Sequence, residues 1–169
     1  KGAIGGGLAA RGTVTVGSSP DGAFGTLVVG GDLNLQGGSR YGVLLDAAGD
    51  NSWLLVAGSA AIGGATVAVS PQPGDYGRVT RYAVLQADGG LFGTATATSN
   101  VSTLEPYFTP SGTTLFMTLL RTDLPLKSFA TTANGAAIGG AFDRLRSGAT
   151  GDLARITREL TALDDPGLA

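Results

Sequence analysis

The sequence predicts an all-β chain wound as a parallel β-solenoid, ended by a hairpin and followed by a short helical segment. Three observations carry this. Two stretches of short apolar runs and Gly-rich corners superimpose with a one-residue gap. Leu27-Val28-Val29-Gly30-Gly31-Asp32-Leu33-Asn34-Leu35-Gln36-Gly37-Gly38 falls on Leu54-Leu55-Val56-Ala57-Gly58-Ser59-Ala60-Ala61-Ile62-Gly63-Gly64, so Leu27 matches Leu54 at an offset of 27 residues. A period in the twenties built from strands and corners is the pattern of a solenoid, whose coils bury apolar faces only by stacking. The composition agrees: Gly is 29 of 169 residues and 14% are charged, against about 7% and about 25% in ordinary domains. Finally, the repeat stops where bulky residues gather, and a 3.6-residue period begins after Pro125.

In chain order, residues 1–24 read as a preceding coil. Ala3-Ile4-Gly5-Gly6 repeats the Ala61-Ile62-Gly63-Gly64 corner, Thr13 to Val16 alternates as a strand, and Ser18-Ser19-Pro20-Asp21-Gly22 turns the chain. Residues 25–124 hold the coils. Leu27, Val29, Leu33, Leu35, Leu54, Val56, Ile62, Val67 and Val84 are the expected solenoid core, with Leu27 over Leu54 and Leu35 over Ile62. Asn34 and Gln36 are expected to point outward, since side chains alternate along a strand. The Gly-Gly corners are read as sites of positive φ, which other residues resist. The turns are expected at residues 48–51 and 71–74, followed by a strand over residues 82–86 and a corner at Asp88-Gly89-Gly90.

Tyr107-Phe108-Thr109 and Leu115 to Leu120, around Pro110-Ser111-Gly112-Thr113, read as a hairpin. Tyr107, Phe108, Leu115, Phe116, Met117 and Leu119 are the expected cap and folding core, because an open solenoid end exposes unpaired strand edges. In residues 125–169, Ala136, Ala137, Ile138, Ala141, Phe142 and Leu145 recur at helical spacing over Ala133 to Arg146, despite Gly139-Gly140. Leu153, Ile156, Leu160 and Leu163 predict a second helix from Asp152 to Leu163, stopped at Asp165-Pro166-Gly167.

The order of these segments resembles the C-terminal end of the passenger of a type Va autotransporter. The likeness runs from Gly25-Thr26-Leu27-Val28-Val29 through Ser39-Arg40-Tyr41, Val56-Ala57-Gly58, Tyr82 to Leu85, Gly89-Gly90-Leu91-Phe92-Gly93 and the hairpin to Ala141-Phe142-Asp143. It covers roughly Gly25 to Leu163, the autochaperone region and the linker to the membrane barrel. The resemblance implies a right-handed parallel β-helix that folds from its C-terminal end during export and templates the coils before it. It implies a bacterial cell-surface location. The implied partners are upstream passenger coils and a C-terminal outer-membrane β-barrel whose pore residues 133–163 would thread. A host surface or glycan would be met through the upstream region. A chain that opens at Lys1 without Met and carries no series of barrel strands reads as a fragment of something longer.

Little catalytic chemistry is expected. Cys and His are absent and the net charge is −2 without a basic stripe, which argues against thiolate or imidazole chemistry and against nucleic acid. Asp46, Asp50, Asp75 and Asp88 offer carboxylates of the kind glycan-cleaving enzymes pair, yet each lies beside turn residues, where Asp bonds the backbone. Gly30-Gly31-Asp32 resembles a Ca²⁺-binding nonapeptide, but its Asp comes too early and the motif is not in tandem. Ser18, Ser19, Ser59 and Ser70 lack a His partner. Trp53, Tyr82, Phe92, Tyr107 and Phe108 are either a sugar-stacking platform or packing residues, and packing is preferred. The expected function is a non-catalytic folding module without cofactor or metal; the alternatives are an adhesive or glycan-binding β-helix and a β-helix polysaccharide-cleaving enzyme.

Overall fold

The computed structural model describes residues 1–17, 23–122, 124–146 and 148–160. The turn expected at Ser18 to Gly22, and the end of the second helix with its stop at Asp165-Pro166-Gly167, lie outside them. Twelve strands repeat in groups of three: β1 (Gly2–Ile4), β2 (Leu8–Ala10) and β3 (Thr13–Val16); β4 (Thr26–Val29), β5 (Leu33–Leu35) and β6 (Arg40–Leu45); β7 (Trp53–Val56), β8 (Ala60–Ala61) and β9 (Thr66–Pro71); β10 (Val79–Ala87), β11 (Leu91–Phe92) and β12 (Thr96–Ser99). Strands one group apart pair in parallel and build three sheets. The chain is therefore a β-solenoid, and β1 to β10 spans three full turns. β13 (Leu104–Ser111) and β14 (Thr114–Arg121) then form an antiparallel pair, and β14 lies against β10.

The register follows the sequence repeat. Leu27 pairs with Leu54 and Asn34 with Ala61, and one further residue brings Leu35 to Ile62. The one-residue gap falls at the next corner, since Tyr41 pairs with Val67. Inward side chains then stack: Val29 and Val56, Leu33 and Ala60, and Tyr41 and Val67 are all buried. Asn34 is exposed, and Gln36, half-buried, accepts from Arg11 Nε at 2.6 Å. The steps from Gly2 to Leu27, Leu54 and Leu85 grow from 25 to 27 to 31 residues. The last coil is longest because it carries the loop after Pro71.

The second glycine of Gly37-Gly38, Gly63-Gly64 and Gly89-Gly90 has the expected positive φ, but other corner glycines answer a different need. Gly31, Gly58 and Gly89 do not have positive φ. They form a column in which Gly31 N donates to Gly6 O at 3.1 Å, Gly58 N to Gly31 O at 3.1 Å and Gly89 N to Gly58 O at 2.9 Å. A Cβ on Gly89 would stand 2.7 Å from Ser59 N and 2.8 Å from Gly58 C, both rigid backbone atoms. Gly89→Ala is therefore expected to lower stability by about 1–3 kcal/mol, as overpacking does. Gly37 meets nothing within 4 Å, so Gly37→Ala should leave the urea midpoint unchanged or slightly raised; equal losses at both positions would rule out the column as the constraint.

The hairpin is longer than the sequence suggests. Ser111 pairs with Thr114, so the turn is Gly112-Thr113 alone, with Gly112 at φ +60°. Pro106 and Pro110 lie within β13, which Pro tolerates because β13 is the edge of its sheet. After it come an unforeseen 3-10 turn (Leu126–Phe129), α1 (Ala133–Arg146) and α2 (Gly151–Leu160). Asp143 Oδ1 accepts from Leu126 N at 2.7 Å and its Oδ2 from Lys127 N at 3.2 Å, holding the free donors of the 3-10 turn. Gly139 admits that turn: a Cβ there would lie 2.8 Å from Lys127 N. This close approach explains Gly139 inside a helix; Gly140 has no comparable neighbour. α1 buries no residue fully, and Ile138 and Leu145 of its expected stripe are 60% and 50% exposed.

Candidate functional site

The outermost strands have an unpaired edge at both ends of the solenoid, β11, β12 and β13 at one and β1, β2 and β3 at the other; what sets the ends apart is the antiparallel hairpin. β1, β2 and β3 are each the outermost strand of their sheet at one end, so all three present an unpaired edge there. The first-coil residues Leu8, Ala10 and Val14, with Leu27, are only partly buried against the core, whereas their successors Leu33, Leu35 and Tyr41 are at most 1% exposed. The first coil thus has the geometry of an inner coil without the cover of the next one. At the other end β13 and β14 extend only the sheet of β10. An apolar groove there is lined by Leu91, Ala95 and Ala97 of the last coil and by Pro106, Tyr107 and Phe108 of the hairpin.

The expected cap residues divide between two faces of β14. Leu115, Met117 and Leu119 point inward at 2%, 0% and 1% exposure. Phe116 is half-buried on the opposite face, with the Arg81 guanidinium 3.8 Å above its ring. Phe108 packs partly against the core, and Tyr107 is 45% exposed. Tyr107 and Phe116 are therefore not part of the buried cluster; strand alternation puts them on its outer side. Of the expected solenoid core, Val29, Leu33, Leu35, Leu54, Val56, Ile62, Val67 and Val84 are buried and Leu27 is half-buried.

Asp46 and Asp32 hold backbone, while Asp75 and Asp88 meet side chains. Asp46 Oδ1 accepts from the backbone N–H of Ala48, Gly49 and Asp50 at 2.9–3.0 Å. Asp88 accepts from Gln86 at 3.2 Å, and Asp75 pairs with Arg158. Asp32 Oδ1 accepts from Ser59 N at 2.7 Å and Ser59 Oγ at 2.9 Å, bridging two coils, and these bonds hold its carboxyl below the usual carboxylate range. Among the described residues no three acids, His or Cys converge as a metal site, and no helix is long and apolar enough to cross a membrane. Ser18 and Ser19 lie outside the described residues. Of the aromatic residues, Tyr82 is buried, Trp53 is half-buried and Phe92 is 58% exposed.

Sequence reading missed the three tyrosines that tie coils together. Tyr41 Oη donates to Val84 O at 2.8 Å, Tyr76 Oη to Gln72 O at 2.8 Å and Leu45 O at 3.1 Å, and Tyr82 Oη to Asp46 O. The signal available in the sequence is the placement of Tyr41 and Tyr82 among aliphatic strand residues; Tyr76 sits in a loop and gives none. No protein-family model matches the chain, and no curated protein matches it.

Proposed function

We propose that this chain is a non-catalytic folding module: the C-terminal end of a secreted β-helix of the autotransporter type, on which upstream coils pair. The observation that carries the reading is the asymmetry of its ends. The three edges beside β1 to β3 continue the parallel repeat, whereas at the other end the antiparallel hairpin extends the sheet of β10 and lies against β12, with β11 and β12 the outermost strands of their sheets. In a solenoid each coil supports its neighbour, and folding propagates from a nucleus. The hairpin acts as the cap that makes the last coils a stable nucleus. The winding is right-handed, the hand that parallel strand crossovers adopt in almost all cases. The module works at the bacterial surface, and residues 125–160 lead toward a barrel.

The non-catalytic reading is supported by Asp46, whose carboxylate is bound within its turn, and by Asp32, whose carboxylate bridges two coils. A second reading, glycan binding, is favoured by Phe92 and Tyr107, which expose rings at the capped end; saturable oligosaccharide binding lost in Tyr107→Ala would favour it over the first. The first is tested by appending a second copy of residues 26–52 ahead of Lys1, which places Lys1 where Trp53 stands in the repeat. The copy's strand amides should be protected from hydrogen exchange in the intact chain and exchange freely once the hairpin is truncated. A copy that stays unprotected on a folded module would refute templating.

A further inference from the structure

We propose that α2 is a detachable strap, clasped to the solenoid by the Arg158–Asp75 ion pair and released without unfolding the coils. The pair joins Arg158 Nε to Asp75 Oδ1 at 2.5 Å across 83 residues of sequence. The solenoid half of the clasp is fixed independently of the helix. Tyr76 bonds Leu45 O and Gln72 O, and Arg121 Nη1, at the end of β14, donates to Tyr76 O at 2.7 Å. Asp75 is thus presented by a loop anchored to both a coil turn and the hairpin.

The helix half is held differently. Apolar burial docks it only loosely: Leu153 and Ile156 are 39% and 42% exposed, Leu160 is half-buried, and the residue α2 buries fully is Thr157. Thr157 Oγ1 turns back onto its own helix, to Leu153 O at 2.9 Å and Ala154 O at 3.0 Å. A cleft lined by Pro73, Gly74, Ile156 and Leu160 remains between helix and loop. α1 packs on the 3-10 turn and adds little to the hold on α2. A helix whose apolar residues are only partly covered, and which an ion pair clasps, is held in part by an interaction that salt weakens. A free helix of ten residues is marginal in water, so release also unwinds it. The strap stands apart from the templating proposal, since it concerns the opposite end of the chain and needs no upstream coil.

The test is hydrogen exchange of the full chain, comparing residues 151–160 with the solenoid strands. An ion pair this close to solvent contributes modestly, so exchange of α2 should quicken about two- to fivefold in Asp75→Asn at low salt. The wild type should reach a similar rate in about 1 M NaCl, where screening is nearly complete, and the variant should respond to salt less than the wild type, the remainder coming from the Arg155 pairs within α2. The charge-exchanged pair Asp75→Arg with Arg158→Asp should restore slow exchange. The strap is overturned if α2 exchanges equally fast in wild type and Asp75→Asn at low salt. It is overturned equally if β4 to β9 loosen together with α2, which would make the helix a structural part of the solenoid.

Discussion

Met117→Ala is expected to lower the stability of the solenoid by about 2–5 kcal/mol, the range for emptying a buried large side chain. Phe116→Ala, one position away, is expected to cost clearly less. Met117 is fully buried, opposite Tyr82 on one side and Phe108 on the other. Its loss leaves a void that two strands cannot collapse into without breaking their register. Phe116 loses contact with the Arg81 guanidinium, an interaction worth about 0.5–1 kcal/mol at an exposed site, together with part of its apolar cover. A domain holds about 5–15 kcal/mol in all, so the Met117 variant should unfold at a much lower urea midpoint. Equal midpoints for the two variants would mean that the inward face of β14 is not the core of the hairpin.

Alkaline pH should unfold the chain steeply above about pH 10. Tyr41, Tyr76 and Tyr82 are at most 2% exposed, and burial pushes each phenol well above its ordinary value of 10.0. The neutral form is thus the folded form, whereas the unfolded chain ionises at the ordinary value. The stability these groups protect is fully present below about pH 10 and falls as pH rises beyond it. Each buried phenol contributes about 1.4 kcal/mol per pH unit, so three together give about 4 kcal/mol per unit. Urea midpoints measured between about pH 8 and about pH 11.5, with tyrosinate absorbance alongside, check this. Tyr41→Phe leaves Val84 O without its partner, at a cost of about 1–3 kcal/mol at neutral pH, but should make the alkaline slope shallower by about a third. Tyrosines that titrate at the ordinary value while the fold persists would contradict their placement.

The repeat is legible because a solenoid writes its register into the sequence. The same inward positions recur, so spacing alone matches Leu27 with Leu54, and the two pair. Less legible is anything decided between coils. Gly31, Gly58 and Gly89 are needed because a neighbouring backbone lies against them, and a local reading sees only a corner that favours glycine. The step from Leu54 to Leu85 is hidden by the loop inserted after Pro71, which breaks the even spacing. Alternation along β14 reveals two faces without saying which one points inward. A residue-size argument favours Phe116, but the pairing with β10 turns Met117 inward. The ion pair of Asp75 and Arg158, and the hold of Asp143 on the 3-10 turn, join residues that no periodicity relates.

On the proposed reading, folding starts at the hairpin end and runs toward β1. Pulse-labelled hydrogen exchange during refolding tests it directly, because the strands of one sheet, β14, β10, β7, β4 and β1, stand in a row. Amides of β10, β13 and β14 should gain protection first, those of β7 and β4 next, and those of β1 to β3 last. Met117→Ala should delay every later step. Protection that appears in β1 to β3 before, or together with, β14 would show that the hairpin end does not nucleate folding.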